Sequence, residues 1–366
     1  MSVFITSTGY HLPGPAINND QIEPLLGYVH GKASRLKKRI LQSNGIKTRH
    51  YAIDSDHNTT ISNAEMAAKA GADCLAQSYL DKHQLGLLCA ATSQGDLVLP
   101  GFASMVQAEL ALSDVEIHSS HGICSSSLMA LKNAYLQLLA GEHESAMVVA
   151  SELTSRLFKA SRYEAADAQL DFNAEFLRWM LSDGAGALML ERQPRGTCFK
   201  IEWIRSFSHA DAYPVCMSVG TADKSTKPWQ DYPSYRDAEA AGAILLRQDV
   251  RLLDNIVKLG VDGFLRLLDQ GRVQVDEIDH LLCHYSSDYF RQPIFDMLKR
   301  AGCHIPEHKW YTNLYERGNT GCASIFIMLD EFRRTQHYSV GDTIICMVPE
   351  SGRFNNAYMK LTVVQE

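Results

Sequence analysis

The chain has 366 residues, 46% hydrophobic and 21% charged, the balance of a globular protein long enough for one large domain or two fused halves. Its net charge of −7 argues against general nucleic-acid binding, which wants a basic face. No apolar run approaches the roughly 18 to 20 residues of a membrane helix, and nine cysteines without paired spacing favour reduced thiols over a disulfide framework.

In chain order, the start MSVFITSTGYHLPG lacks a basic segment followed by an apolar stretch, so a cytoplasmic protein without membrane attachment is expected. Val3-Phe4-Ile5 reads as a first short strand. GKASRLKKRI then concentrates Lys32, Arg35, Lys37, Lys38 and Arg39 in an otherwise acidic chain, either a solvated helix face or a dock for an acidic partner. Asn63 to Tyr79 reads as a helix and LGLLCAATSQ as a buried strand.

In HSSHGICSSSLMALKNAYLQLLAGEHESAMVVASE the apolar Leu128, Met129, Leu131, Ala134, Tyr135, Leu138 and Leu139 recur at three- and four-residue intervals, which predicts a packed helix with Cys124 in its first turn. His118 and His121 stand close enough to line a pocket around it or simply to pack. Asp183 to Ala187 runs into an apolar strand rather than opening a helix, which removes the context of a phosphate loop. Cys303-His304 with His308 has only partial zinc-like spacing, so no metal site is expected.

The second part of the chain repeats the first. Leu87-Leu88-Cys89 returns as Leu281-Leu282-Cys283, Val3-Phe4-Ile5 as Phe199-Lys200-Ile201, and Met147-Val148-Val149 as Cys346-Met347-Val348, in one order and at a nearly constant spacing. The same spacing carries Cys124 to the Gly318 loop of ERGNTGCASIFIMLDEF and the Asn63 helix to Asn255–Leu268. Strands alternating with helices imply α/β halves with largely parallel sheets. The division expected is 1–193 and 194–366, near Gln193-Pro194-Arg195-Gly196. A pseudo-twofold axis would bring the loops of Cys124, His284 and Asn319 together.

With these residues the chain resembles the thiolase-fold condensing enzymes, above all β-ketoacyl-acyl-carrier-protein synthase III. GIKTRHYA from Gly45, the Cys124 loop, LSDGAGALML from Leu181, His284 after a buried strand and GNTGCAS from Gly318 occur in the family's order. The resemblance implies a five-layer αβαβα fold of two similar halves and an active homodimer. It implies that Cys124 takes an acyl group from a thioester, with the Cys124 and Gly352 N–H groups as the oxyanion hole. A helix N-terminus would favour the thiolate. His284 and Asn319 would then hydrogen-bond the enolate formed when a malonyl thioester loses CO2, since an amide and a neutral imidazole can each donate there.

Departures from the family narrow the expectation. Its C-terminal glycine triplet is Ser351-Gly352-Arg353, which puts a charged side chain near the oxyanion hole. The aromatic that stacks on the adenine of coenzyme A lines up with Arg39 and a basic partner with Ser43, so Arg156 alone keeps a cofactor-contacting position. Extra length around Tyr163 to Arg178 and Ala212 to Leu246 points to a specialised enzyme in fatty-acid, polyketide or other secondary metabolism. No tightly bound cofactor is expected; acyl-coenzyme A or acyl-carrier-protein thioesters would be substrates, with the carrier docking on the basic run. Two alternatives stay open: an acyltransferase on the same fold acting toward an alcohol or amine, and a catalytically silent partner subunit. Asn319 in place of a base speaks against the first, and the intact Cys124, His284 and Asn319 against the second.

Overall fold

The computed structural model describes residues 2–166 and 171–366. Ten strands form the main sheet. They are β1 (Phe4–His11), β2 (Leu87–Thr92), β3 (Glu116–His121), β4 (Ser145–Glu152), β5 (Gly184–Glu191), β6 (Thr197–Ser208), β7 (His280–Cys283), β8 (Trp310–Tyr311), β9 (Thr343–Val348) and β10 (Asn355–Gln365). Their spatial order is β8-β7-β9-β10-β6-β1-β5-β4-β2-β3. Read outward from the centre, β1-β5-β4-β2-β3 on one side is matched by β6-β10-β9-β7-β8 on the other, so every strand has a counterpart five places later.

Each five-strand set is mixed, not largely parallel. The β2–β3 and β2–β4 pairs are parallel, while β4–β5 and β1–β5 are antiparallel. On the other side β7–β8 and β7–β9 are parallel, and β9–β10 and β6–β10 antiparallel. Hydrophobic periodicity places a strand in a sheet but does not give its direction, and β5 and β10 return without a crossover helix. Among the described residues the sets pair through antiparallel β1 and β6, at Phe4 opposite Lys200 and Ile5 opposite Phe199.

The longer helices among the described residues are α1 (Lys37–Asn44), α2 (Asn63–Ala76), α3 (Phe102–Leu110), α4 (Ser126–Ala140), α5 (Asp254–Asp269), α6 (Arg291–Arg300) and α7 (Ser324–Thr335). Helix α2 starts in a capping box, with the Ser62 hydroxyl accepting from the Glu65 N–H and the Glu65 carboxylate from the Ser62 N–H. Such a cap contributes about 1 kcal/mol. The small residues Ala64, Ala67, Ala70 and Gly71 then bring α2 close onto the sheet.

Helices α4 and α7 are the central layer. Helix α4 packs on β2 and β4 and reaches β10 and β6, while α7 packs on β5 and β1 and reaches β7. With α2 and α3 outside one sheet and α5 and α6 outside the other, the order is helix, sheet, helix, sheet, helix, the five-layer αβαβα arrangement expected. Close approach is built into the sequence at Gly186 of β5, where a Cβ would lie 2.6 Å from the Phe326 Cβ of α7. Among the described residues no helix is long and apolar enough to cross a membrane.

Candidate active site

The central helices both begin beside one cavity of about 310 Å³. Cys124, Asn319, Gly321, Pro349 and Ser351 line it together with Glu152. The remaining wall is largely apolar, with Leu153, Leu157, Phe176, Leu177, Met180, Val219, Leu246, Leu253, Ile256 and Phe290. Phe176 and Leu177 belong to one extra-length segment, whose residues 167–170 lie outside the described ones, and Met217, Ser218, Val219 and Leu246 to the other.

Cys124 sits ahead of α4 rather than in its first turn. It occupies the turn between β3 and the helix, closed by the Ser126 N–H donating to the Ile123 carbonyl, and the helix starts at Ser126. The side chain is buried, and its thiol is pushed well above the ordinary cysteine value, first by burial and then by the Glu350 and Glu152 carboxylates. This reverses the expected direction. A helix terminus acts through partial charges within one turn, and here desolvation and two nearby carboxylates outweigh it.

Asn319 stands in the equivalent loop before α7. Its Oδ1 accepts from the Gly321 N–H at 2.9 Å, and its backbone carbonyl accepts from the Ser182 N–H. With the oxygen held by the backbone, the amide presents its N–H2 end as the donor. His284 follows β7, and its N–H donates to the Met347 carbonyl of β9. Its ring is buried, Nε2 has no hydrogen-bond partner, and burial lowers its pKa to about 4, so the imidazole is neutral near pH 7. Ser286, two residues on, lines the cavity.

Gly352 lies against the nucleophile turn, where a Cβ would come within 2.5 Å of Ile123 Cδ1 and 2.7 Å of Glu350 Oε1. The charged neighbour expected there, Arg353, is turned outward instead: it is exposed and donates through Nε to the Tyr213 carbonyl. The charged groups beside Cys124 are Glu350 and Glu152, neither of which belongs to a sequence motif. Glu152 ends β4, fully buried, and accepts from the Ser93 hydroxyl at 2.5 Å and from the Cys322 N–H. A signal for Glu152 was available: it is an acidic residue closing a run of apolar and small strand residues.

Of the expected residues Cys124 and Asn319 line the cavity, whereas His284 and Gly352 are not in its lining. Arg156 is held by Asp96 at 2.7 Å, and Asp96 also accepts from the Asn63 and Ala64 N–H groups. In the basic run Lys32, Arg35, Lys38 and Arg39 are exposed, with the Arg39 guanidinium over the Phe172 ring. Lys37 is half-buried and paired with Glu23. Of the two early histidines His121 lines the cavity, while His118 is on β3 outside its lining.

Comparison with known proteins agrees with this arrangement. Residues 268–352, which include His284, Asn319 and Gly352, match the family described as 3-oxoacyl-[acyl-carrier-protein] synthase III C terminal. The β-ketoacyl-[acyl-carrier-protein] synthase III of Streptococcus uberis is 23% identical over 327 residues, covering 89% of this chain and 88% of that one. Among solved structures, the tetronic acid condensing enzyme AbyA1 superposes with a TM-score of 0.80 at 19% identity over 98% of this chain and 99% of that one. The 3-oxoacyl-(acyl carrier protein) synthase III of Pseudomonas aeruginosa gives 0.76 at 19% identity over 100% and 99%. OleA of Xanthomonas campestris, solved with lauric acid and lauroyl-CoA, gives 0.77 at 20% identity over 99% of both chains.

Fold and relatives together make the chain similar to the thiolase-fold condensing enzymes. Within that class the chain is similar to β-ketoacyl-acyl-carrier-protein synthase III over nearly its whole length.

Proposed function

We propose that the chain condenses an acyl group carried on Cys124 with a malonyl thioester, forming a carbon–carbon bond with loss of CO2, or with a β-ketoacyl thioester, which gives up an α-carbon proton in place of CO2. The observation that carries this reading is the shared cavity, in which the thiol of one half and the oriented amide of the other, Cys124 and Asn319, face the same space. Cys124 attacks the thioester carbonyl, the developing oxyanion is met by the Cys124 and Gly352 N–H groups, and the thiol leaving group departs. The malonyl extender then loses CO2, and the enolate oxygen is held by the Asn319 amide and the neutral His284 imidazole until its carbon attacks the acyl-enzyme carbonyl, breaking the C–S bond and releasing Cys124 as the thiolate.

The apolar wall suits an aliphatic acyl chain. The donor or extender arrives on an acyl carrier protein, supported by the exposed Lys32, Arg35, Lys38 and Arg39 and by an Arg156 already engaged with Asp96. Residues 1–193 and 194–366 are the two halves of a duplicated unit, and two copies of the chain form a homodimer. The test is intact-protein mass spectrometry after incubation with acyl-coenzyme A, acyl-carrier and N-acetylcysteamine thioesters. A mass shift that disappears in Cys124→Ala supports the reading; a shift that persists at another residue removes it.

A further inference from the structure

The loop after β9 contains a buried carboxylate for which the reaction above has no use. Glu350 is only 6% exposed, and it is held by neutral groups rather than by a cation. Its Oε2 accepts from the Ser125 hydroxyl at 2.7 Å, and that hydroxyl accepts from Asn355 Nδ2 at 3.0 Å. Its Oε1 accepts from the Arg353 N–H at 3.3 Å, and its own N–H donates to Asn356 Oδ1 at 3.0 Å. One arm thus reaches the residue next to Cys124, and the carboxylate also draws the backbone N–H groups of Gly352, Arg353 and Asn355.

We propose that Glu350 is a positioning residue for acylation, clamping the loop that supplies the Gly352 N–H onto the turn that carries Cys124. The need for a clamp follows from the loop's composition. Gly352 has no side chain, and a Cβ would meet Ile123 at 2.5 Å; its carbonyl accepts from the Cys216 and Met217 N–H groups, which tie the loop to residues 216–217 and not to the Cys124 turn. Arg353 is anchored outward on the Tyr213 carbonyl. A carboxylate with two oxygens can accept from both segments at once, and oxyanion donors act only when held to a few tenths of an ångström. The arrangement has a cost: the same charge adds to the burial that raises the Cys124 thiol. Glu350 therefore trades nucleophile ionisation for geometry.

This inference rests on the functional reading above for the meaning of acylation, so its test has two arms. The first measures single-turnover acylation by octanoyl-N-acetylcysteamine in wild type, Ser125→Ala, Glu350→Gln and the double variant. Each single change is expected to slow acylation at saturating thioester by up to about 100-fold with little change in the concentration giving half-maximal rate. The double variant should be no slower than the slower single one, because both remove one clamp. The second arm follows iodoacetamide labelling of the Cys124 peptide against pH, which needs no acyl substrate. Its midpoint should move to lower pH in Glu350→Gln and not in Ser125→Ala.

Acylation within about twofold of wild type in both singles, or losses that multiply in the double variant, overturns the clamp. An unmoved labelling midpoint in Glu350→Gln overturns the placement of its charge against Cys124. Should Glu350→Gln fail to fold, Ser125→Ala alone decides the first arm. If wild type does not load at Cys124, the functional reading fails, while the labelling arm still reports on Glu350.

Discussion

Cys124, ahead of α4, and His284, after β7, stand on opposite sides of a symmetric sheet, yet their electrostatics differ. Cys124 is buried between two carboxylates, Glu152 and Glu350, which add to the rise of its thiol. His284, across the axis, is lowered by burial alone, with no charged neighbour contributing. On the proposed chemistry, acylation at the first site responds to pH and enolate binding at the second does not. A duplicated fold gives two places to put functional groups, and the side chains around each place decide what it does.

The largest break of this comparison is geometric. Gly352→Ala pushes a Cβ into Ile123 and Glu350 and shifts the oxyanion N–H, so acylation should fall by about two to three decades. Stopped-flow loading of an acyl thioester checks it, and decarboxylation of malonyl thioester without a starter should fall much less.

A pH series sharpens the contrast next. A thiol held above its ordinary value is protonated at neutral pH, so acylation should rise by up to about tenfold per pH unit from neutrality upward until the thiol titrates. Malonyl decarboxylation should stay flat across the same range, because an imidazole lowered to about 4 remains neutral from there upward. An inflection in decarboxylation near pH 6.5 would show that His284 titrates as an ordinary histidine.

The smallest effect belongs to the surface. Replacing Lys32, Arg35 and Lys38 together by Glu should slow carrier-dependent turnover by several-fold at low salt, with the difference shrinking as ionic strength rises. Turnover with an N-acetylcysteamine thioester should be unchanged. Lys37 is the wrong residue for this experiment, since its removal leaves buried Glu23 without its cation.

Much of the fold was legible because repetition survives where packing is strict. Leu87 to Cys89 and Leu281 to Cys283 remain alike since both strands are buried on two faces. Strand direction was not legible, as apolar patterning is the same either way along β5 or β10. At the site, Cys124 and Asn319 stand out by motif and meet at one cavity. Glu350 was invisible because its meaning depends on Ser125, 225 residues away in sequence. The direction of the Cys124 shift was hidden for the same reason: a helix start can be read locally, but burial and two distant carboxylates cannot.

The division of labour between the halves is tested most directly by Asn319→Ala, with acyl loading and malonyl decarboxylation measured on the same preparation. Loading of Cys124 should stay within about twofold of wild type, while decarboxylation falls by about two to three decades through loss of one enolate donor. Equal loss of both half-reactions, or decarboxylation that survives, would contradict it.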